Sequence, residues 1–356
     1  MRTAIYASLI TLLCLCGLAS ADGGANHQVR TLEFGSSGGN VNDISNAFCC
    51  SGTLGALLTN GTNQYILSNN HVLGRSGQAV PGEDVSQPGR IDNNCAPGEI
   101  VGDFTAAPLL GPSNVDAAVA QLRAGTMKSD GSILDIGVIS NVVQPAALGL
   151  AVKKSGRTTG LTSSTVTSIN TDVVIQYQEG CGKGKKFRVT YNDQVVIGGS
   201  GFSAGGDSGS LIVTNNACPQ PVALLYAGSS TSTIGNPIGE VLTQIGSTLG
   251  TPVQFVGTTC SAGFTTSSAG PTQAELTRVR NVKNRHKGNM LELPGILGVG
   301  VGGADDNPTE AVIVVYVERG RQLPGAIANR VDGVRVKVVN TEEFTAFGDK
   351  QWGRSN

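Results

Sequence analysis

From about residue 50 to residue 256 the hydrophobic positions come in short runs, alternating or continuous, broken every few residues by glycine, asparagine, serine or proline. Runs of that length bounded by turn residues predict antiparallel strands. They fall at residues 53–58, 65–68, 117–122, 173–177, 187–197, 210–214 and 222–227, with Asn60-Gly61 joining the first two as a hairpin would. At residues 237–249 the period changes, because Ile238, Val241, Leu242 and Ile245 recur at helical spacing and predict a helix that closes the strand-rich region. Residues 257–273, GTTCSAGFTTSSAGPTQ, are small, polar and uncharged, which is the composition of a linker. Beyond it, Leu276, Val279, Val282 and His286 mark one face of an amphipathic helix over residues 273–290. Strands are expected at 296–301, 311–317 and 334–339, with a short helix near Ala326 to Arg330. The resulting expectation is a mostly β domain over residues 48–256, the linker, and a small α/β sandwich over residues 274–348.

Composition sharpens this picture. Fifty glycines against few aromatics suit short strands joined by tight turns more than long helices. At the start of the chain, Arg2 precedes an apolar run from Leu9 to Leu18 and the small-residue site Ala19-Ser20-Ala21, so residues 1–21 read as a cleaved signal peptide and residues 22–47 as an N-terminal segment. A lipid anchor at Cys16 is the rival, but Leu15 stands where a small residue is needed. No later stretch approaches the roughly 18 uninterrupted apolar residues of a spanning helix. The chain is therefore expected to be secreted, extracellular or periplasmic, with no membrane span. Removing the signal leaves Cys49, Cys50, Cys95, Cys181, Cys218 and Cys260, an even set in an oxidising compartment, where disulfides are the default. There is no CxxC pair and there are only three histidines, so neither a metal nor another cofactor is expected. A net charge of −1 argues against a nucleic-acid footprint. The charge is uneven: residues 22–271 hold 12 Lys/Arg against 16 Asp/Glu, and residues 272–356 hold 12 against 10, consistent with two units. Oligomeric state is not written in the sequence.

Ser208 sits in Gly205-Gly206-Asp207-Ser208-Gly209-Ser210. A nucleophilic serine needs backbone N–H groups beside it to receive an oxyanion, and glycines allow the backbone to aim them; the donors here would be the N–H groups of Gly206 and Ser208. Taken alone, this is also the composition of an ordinary turn. His71, in Leu67-Ser68-Asn69-Asn70-His71-Val72-Leu73, follows an apolar strand and is the only histidine between His27 and His286. Asp116 enters the apolar run Ala117-Ala118-Val119-Ala120, where an unpaired carboxylate is costly to bury. Each has an ordinary structural explanation by itself.

Together they follow the order His, Asp, Ser, separated by 45 and 92 residues and each beside an expected strand. In this order and spacing, residues 48–250 resemble the chymotrypsin-like serine peptidases. Lys154-Ser155-Gly156-Arg157-Thr158-Thr159-Gly160 further resembles a segment of the secreted bacterial members, such as alpha-lytic protease and the Streptomyces griseus proteases. The resemblance implies two six-stranded antiparallel β-barrels with the triad in the cleft between them. It also implies a serine endopeptidase acting on a polypeptide substrate, with Ser208 as nucleophile, His71 as base and Asp116 as the group that orients it. Animal members pair the aspartate before the serine with a new N-terminus, often Ile-Val-Gly-Gly, and residues 22–48 contain no such segment. By resemblance to the bacterial enzymes, Arg157 is then the expected partner of Asp207.

No acid stands in Phe202-Ser203-Ala204, where trypsin-type members place one, so cleavage after Lys or Arg is not expected. The backbone of Ala227 and Gly228 is the expected rail for an extended substrate. Family members often staple the histidine loop with a cysteine at the place of Cys50; the expected pairs are Cys50 with Cys95 and Cys181 with Cys218, leaving Cys49 and Cys260. Two rivals remain on the table: an inactive homologue that binds partners through the same barrels, and an α/β-hydrolase using Ser208 with a later Asp and His286. The tail is open among a substrate-binding appendage, a pro-region removed after secretion and an oligomerisation unit, with a purely structural appendage the leading expectation because it offers no site.

Overall fold

The strand Phe48–Leu54 runs through Gly55 directly into Ala56–Thr59, and this bent stretch is where the first sheet begins and ends. Ala56–Thr59 pairs with Gln64–Ser68 as the expected hairpin, with Asn60 Oδ1 accepting from the N–H groups of Thr62 and Asn63 in the turn. From Gln64–Ser68 the sheet passes through Ala118–Leu122, Glu99–Ala106, Asp84–Gln87 and Ser36–Asn40 to Phe48–Leu54. Its two ends are the same piece of chain, so the sheet closes on itself as a six-stranded barrel. Leu57, Ile66, Val85, Val101 and Val119 fill the interior, each contributing roughly 1.5–3 kcal/mol by leaving water.

The structure is a computed structural model that describes residues 32–352 apart from 47, 183, 262–269, 322–326 and 347–348. The expected signal peptide, part of residues 22–47, half of the linker and Ala326 lie outside the described residues. Among the described residues no helix is long and apolar enough to cross a membrane.

A second barrel follows, with strands Ala151–Gly156, Gly160–Gln178, Lys186–Gly198, Leu211–Thr214, Pro221–Gly228 and Ser232–Pro237. It is closed by the pairing of Ala151–Gly156 with the first part of Gly160–Gln178, Ala151 opposite Thr165. The expected helix is present as Ile238–Leu249, ended by Gly250 at φ 70°, and the chain then returns to the first barrel, where Gln254–Phe255 pairs with Ala56–Thr59. The expected pair of antiparallel barrels is therefore what the chain forms.

Gly160–Gln178 is long enough to serve two sets of neighbours. Register shifts between Val166 and Val173 bend it. Around the bend it accepts Ile296–Gly303, with Ser168 opposite Gly302 and Val173 opposite Gly298. Ala311–Glu318 and Val334–Thr341 extend that sheet outward, so the strands after the linker continue the second barrel's sheet. The helix Gln273–Leu291 starts at Thr272, whose hydroxyl accepts from Glu275 N–H, and lays Val279 and Val282 on Val299, Ile313 and Val315. Lys283 reaches Asp172 on the long strand at 2.6 Å, both fully buried, fastening helix to barrel. The short helix expected near Ala326 to Arg330 does not form over its described residues. Arg330–Val331 instead pairs with Val334–Arg335, because Asp332-Gly333, both at positive φ, make a tight hairpin turn between them.

The disulfides correct the expected pairing. The bonds are Cys49–Cys95, Cys50–Cys181 and Cys218–Cys260, so neither Cys50–Cys95 nor Cys181–Cys218 forms. Cys49 and Cys50 are neighbours on one strand, and neighbours point to opposite faces. Cys49 takes the loop carrying Cys95, while Cys50 reaches across to the second barrel. Cys218–Cys260 ties a turn of that barrel to the segment that leaves it.

Candidate active site

Strand register brings His71 and Asp116 together. Ser68 lies opposite Ala118, so the residue three beyond the first and the residue two before the second emerge at the same end of the sheet. His71 lies in the one-turn helix Asn70–Leu73. Its Nδ1 is 2.6 Å from Asp116 Oδ2, and its backbone N–H donates to Asp116 Oδ1 at 3.2 Å. The local chain is pinned by Asn69 Nδ2 donating to Asp116 O at 2.6 Å and by Asp116 N–H donating to Asn236 Oδ1 at 2.9 Å.

Asp116 is fully buried, and its carboxylate is tolerated because donors surround it. The third donor is the Tyr177 hydroxyl, 2.9 Å from Oδ2, and the Tyr191 hydroxyl is 2.8 Å from that of Tyr177. Burial, reinforced by the Asp116 carboxylate, pushes the Tyr177 hydroxyl well above its ordinary range, so it stays protonated and donates. A carboxylate only accepts, which puts the imidazole proton on Nδ1 and leaves a lone pair on Nε2. His71 Nε2 is buried and has no hydrogen-bond partner among the described residues.

Ser208 lies in the loop before Leu211–Thr214, between Gly206 at φ 92° and Gly209 at φ 94°. Its carbonyl accepts from Thr53 N–H at 2.8 Å, and the Gly206 carbonyl accepts from the Thr53 hydroxyl at 2.9 Å. Both carbonyls are thus bound to the first barrel, and among the described residues the N–H groups of Gly206 and Ser208 donate to nothing. Ser208 Oγ donates to Tyr226 O at 3.3 Å rather than to His71. The barrels meet closely here: a side chain at Gly55 would overlap the Gly209 carbonyl. Ser208 O also packs near Val72, the neighbour of His71, around Gly52. The structure therefore sets an acceptor nitrogen on the first barrel and, on the loop that Thr53 of that barrel holds, a hydroxyl with two N–H donors, the groups that proton transfer and oxyanion binding need.

The expected Arg157–Asp207 pair does not form. Arg157 makes a two-pronged ion pair with Asp92, Nε and Nη2 each 2.7 Å from a carboxylate oxygen. Asp207 instead accepts from the N–H groups of Thr158 (2.8 Å), Thr159 (3.1 Å) and Ala204 (2.9 Å), and from the Thr159 hydroxyl at 2.7 Å, with Lys154 Nζ 3.6 Å away. Lys154 lies in the strand Ala151–Gly156, on the face that it shares with Gly156 and that looks at Asp207, whereas Arg157 falls in the turn after the strand and is turned towards Asp92. Arg157 still touches the loop that carries Ser208, since a side chain at Gly206 would meet its guanidinium. It joins that loop to the Arg90–Asp92 turn.

Ala227 and Gly228 end the strand Pro221–Gly228, with Ile234 and Thr233 on one edge. The other edge is occupied by Thr345–Ala346 of the same chain. His286 lies apart from these groups, its Nε2 2.9 Å from Asp332. Tyr177, Lys154 and Asp43 were not singled out from the sequence. Tyr177 had a signal in the alternation Val173, Ile175, Tyr177, which turns it inward; Lys154 had none beyond its place in the KSGRTTG segment. Asp43 lines a cavity of about 260 Å³ together with His71, Arg75 and Tyr177. Burial raises its carboxyl to about 7, with Arg75 and His71 pulling the other way.

No protein-family profile and no curated protein matches the chain. Among solved structures it is similar to a glutamic-acid-specific serine protease that uses a histidine triad in substrate binding, with 22% identity over 62% of this chain and 98% of that one, TM-score 0.43. It is also similar to Thermobifida fusca protease A, with 19% identity over 64% and 98%, TM-score 0.41. A third is an alpha-lytic protease homologue, with 21% identity over 59% and 96%, TM-score 0.39. By its own topology, two closed antiparallel barrels meeting at His71, Asp116 and Ser208, the chain has the fold of the chymotrypsin-like serine proteases.

Proposed function

We propose that the chain is a secreted serine endopeptidase, exported by residues 1–21, in which His71, Asp116 and Ser208 form the catalytic triad. The observation that carries this is the His71–Asp116 contact at 2.6 Å with Nε2 left buried and unpartnered beside the nucleophile loop. In this reading a rotation about the Ser208 side chain exchanges the Tyr226 carbonyl for His71 Nε2. Ser208 Oγ then attacks the scissile carbonyl carbon while His71 takes the hydroxyl proton. The Gly206 and Ser208 N–H groups receive the negative oxygen, each donor contributing about 10²- to 10³-fold. Collapse breaks the C–N bond, His71 returns the proton to the leaving amine, and water repeats the sequence on the acyl-enzyme to regenerate Ser208. Asp116 holds the imidazole tautomer throughout, and Tyr177 holds Asp116.

Two supports for the loop take the place of the expected Arg157–Asp207 pair: Lys154 with the Thr158–Thr159 backbone on Asp207, and Arg157 with Asp92. Residues 48–256 would carry the chemistry, and the unit after the linker would be an appendage docked by sheet continuity. The absence of an acid in Phe202-Ser203-Ala204 supports cleavage after small or apolar residues rather than Lys or Arg. The test is labelling by a fluorophosphonate probe together with hydrolysis of a peptide library. Labelling that disappears in Ser208→Ala supports the enzyme; a folded wild type that neither labels nor hydrolyses any peptide refutes it.

A further inference from the structure

The edge of Pro221–Gly228 assigned to an extended substrate already holds a strand. Thr345–Ala346 lies antiparallel along it, Ala227 opposite Ala346 and Gly228 opposite Thr345. The same residues run beside the long strand Gly160–Gln178, with Gln176 opposite Thr345 and Gln176 N–H donating to Phe344 O at 2.9 Å. Residues 344–346 are therefore held between two walls of the second barrel. Three residues later the chain is on the first barrel, where Asp349–Trp352 pairs antiparallel with Phe48–Ser51. That strand continues to Thr53, which binds the carbonyls of Gly206 and Ser208. The two described parts of the segment thus lie on the two barrels, one on each.

The neighbourhood agrees. Thr345 and Ala346 line the same cavity as His71, Ser208 is fully buried and His71 is only 9% exposed. The approach to the cleft is anchored by side chains. Phe344 is fully buried, in one cluster with Tyr226 and Ala227, its ring 5.6 Å from that of Tyr316. Thr341 donates to the Ser229 hydroxyl at 2.6 Å, Ser230 donates to Glu342 at 2.6 Å, and Arg188 pairs with Glu343. Past Phe344 the described contacts on the rail are strand pairing, which needs no particular side chains and which any extended peptide can replace.

We infer that this chain's own segment, residues Thr345–Ala346 and Asp349–Trp352, occupies the strand edges on the two barrels beside Ser208 and acts as a built-in competitor of substrate. This rests on the reading of Ser208 as the nucleophile. The appendage then has a mechanical purpose: by extending the second barrel's sheet it delivers the segment to the rail. A tether of this kind holds its strand at an effective concentration of about millimolar. For a strand whose untethered dissociation constant is about a tenth of that, it slows access to Ser208 roughly tenfold.

The test compares the full chain with a chain ended at Phe344, which keeps the Phe344 anchor and all preceding strands. The rate of fluorophosphonate labelling and the hydrolysis of a small peptide substrate are measured in both. The shortened chain is expected to label and turn over about ten times faster. A synthetic peptide of residues 345–356, added to it, is expected to restore the slow rate competitively with substrate. Ala346→Pro in the intact chain, which sets inside the strand pairing a residue that paired strands disfavour, is expected to behave like the shortening and serves as the deciding variant if the shortened chain does not fold. Equal rates in the full and altered chains, or no inhibition by the peptide, overturn the inference while leaving Ser208 as nucleophile. Folded chains that label in neither form overturn the reading of Ser208 and the inference with it.

Discussion

Replacing Lys154 by Met tests which cation holds the aspartate beside Ser208. Lys154 and Asp207 are both fully buried, 3.6 Å apart. Burial lowers the Lys154 pKa, and the Asp207 carboxylate opposes that fall. The ammonium also donates to Gly160 O at 2.8 Å and to the Thr159 hydroxyl, and it lies 5.8 Å from the Phe202 ring centre. Methionine keeps the length and apolar contact but leaves the carboxylate without its countercharge. Removing one partner of a buried pair costs about 3–5 kcal/mol. Asp207 keeps four neutral donors, from Ala204, Thr158 and Thr159, which places the expected loss at the lower end, about 3 kcal/mol. Urea unfolding in a Ser208→Ala background, free of self-digestion, reads it directly. If the pair is coupled, adding Asp207→Asn recovers about 1–3 kcal/mol of that loss. A loss below about 1 kcal/mol, or strictly additive single and double variants, would refute the assignment of Lys154 as the partner.

Tyr177→Phe removes one donor to Asp116. The expected stability loss is about 1.5–3 kcal/mol, as for a hydrogen bond to a charged group, with kcat falling about tenfold; a full kcat in a destabilised protein would show that the hydroxyl only packs. Gly55→Ala pushes a methyl into the Gly209 carbonyl, a backbone clash expected to cost about 3 kcal/mol and to lower the labelling rate of Ser208. An unchanged urea midpoint and rate would contradict that close approach. Asp43 carries a carboxyl raised from 3.8 to about 7 by burial, so the folded state prefers it neutral. Stability is then highest at low pH and is lost as pH rises from about 4 to about 7, by up to about 4 kcal/mol at 1.36 kcal/mol per unit. Asp43→Asn, measured by urea midpoints across that range, is expected to match wild type near pH 4 and exceed it near pH 8; parallel curves would argue against a buried, neutral Asp43.

The sequence by itself determined most of the local structure and the identity of the candidate site. Period-2 runs and turn residues carry enough information to mark strands such as Gln64–Ser68, Lys186–Gly198 and Pro221–Gly228, because strand formation depends on neighbours two residues away. Gly206 and Gly209 mark a tightly turning loop, and the order His71, Asp116, Ser208 marks the candidate triad. Whatever depended on which face a side chain leaves, or on contacts between distant segments, was decided by tertiary structure. Adjacent cysteines at 49 and 50 look interchangeable in a string, yet pleating sends them to different partners. Lys154 and Arg157 are two cations of one short segment, but the strand holds the first against Asp207 while the turn after it sends the second to Asp92. Asp92 and Tyr177 are 65 and 61 residues from Arg157 and Asp116, the partners they serve, and no local pattern announces such a meeting. The same holds for the C-terminal strand: Thr345-Ala346 is unremarkable as sequence, and only the extension of the second barrel's sheet brings it to the rail at Ala227 and Gly228.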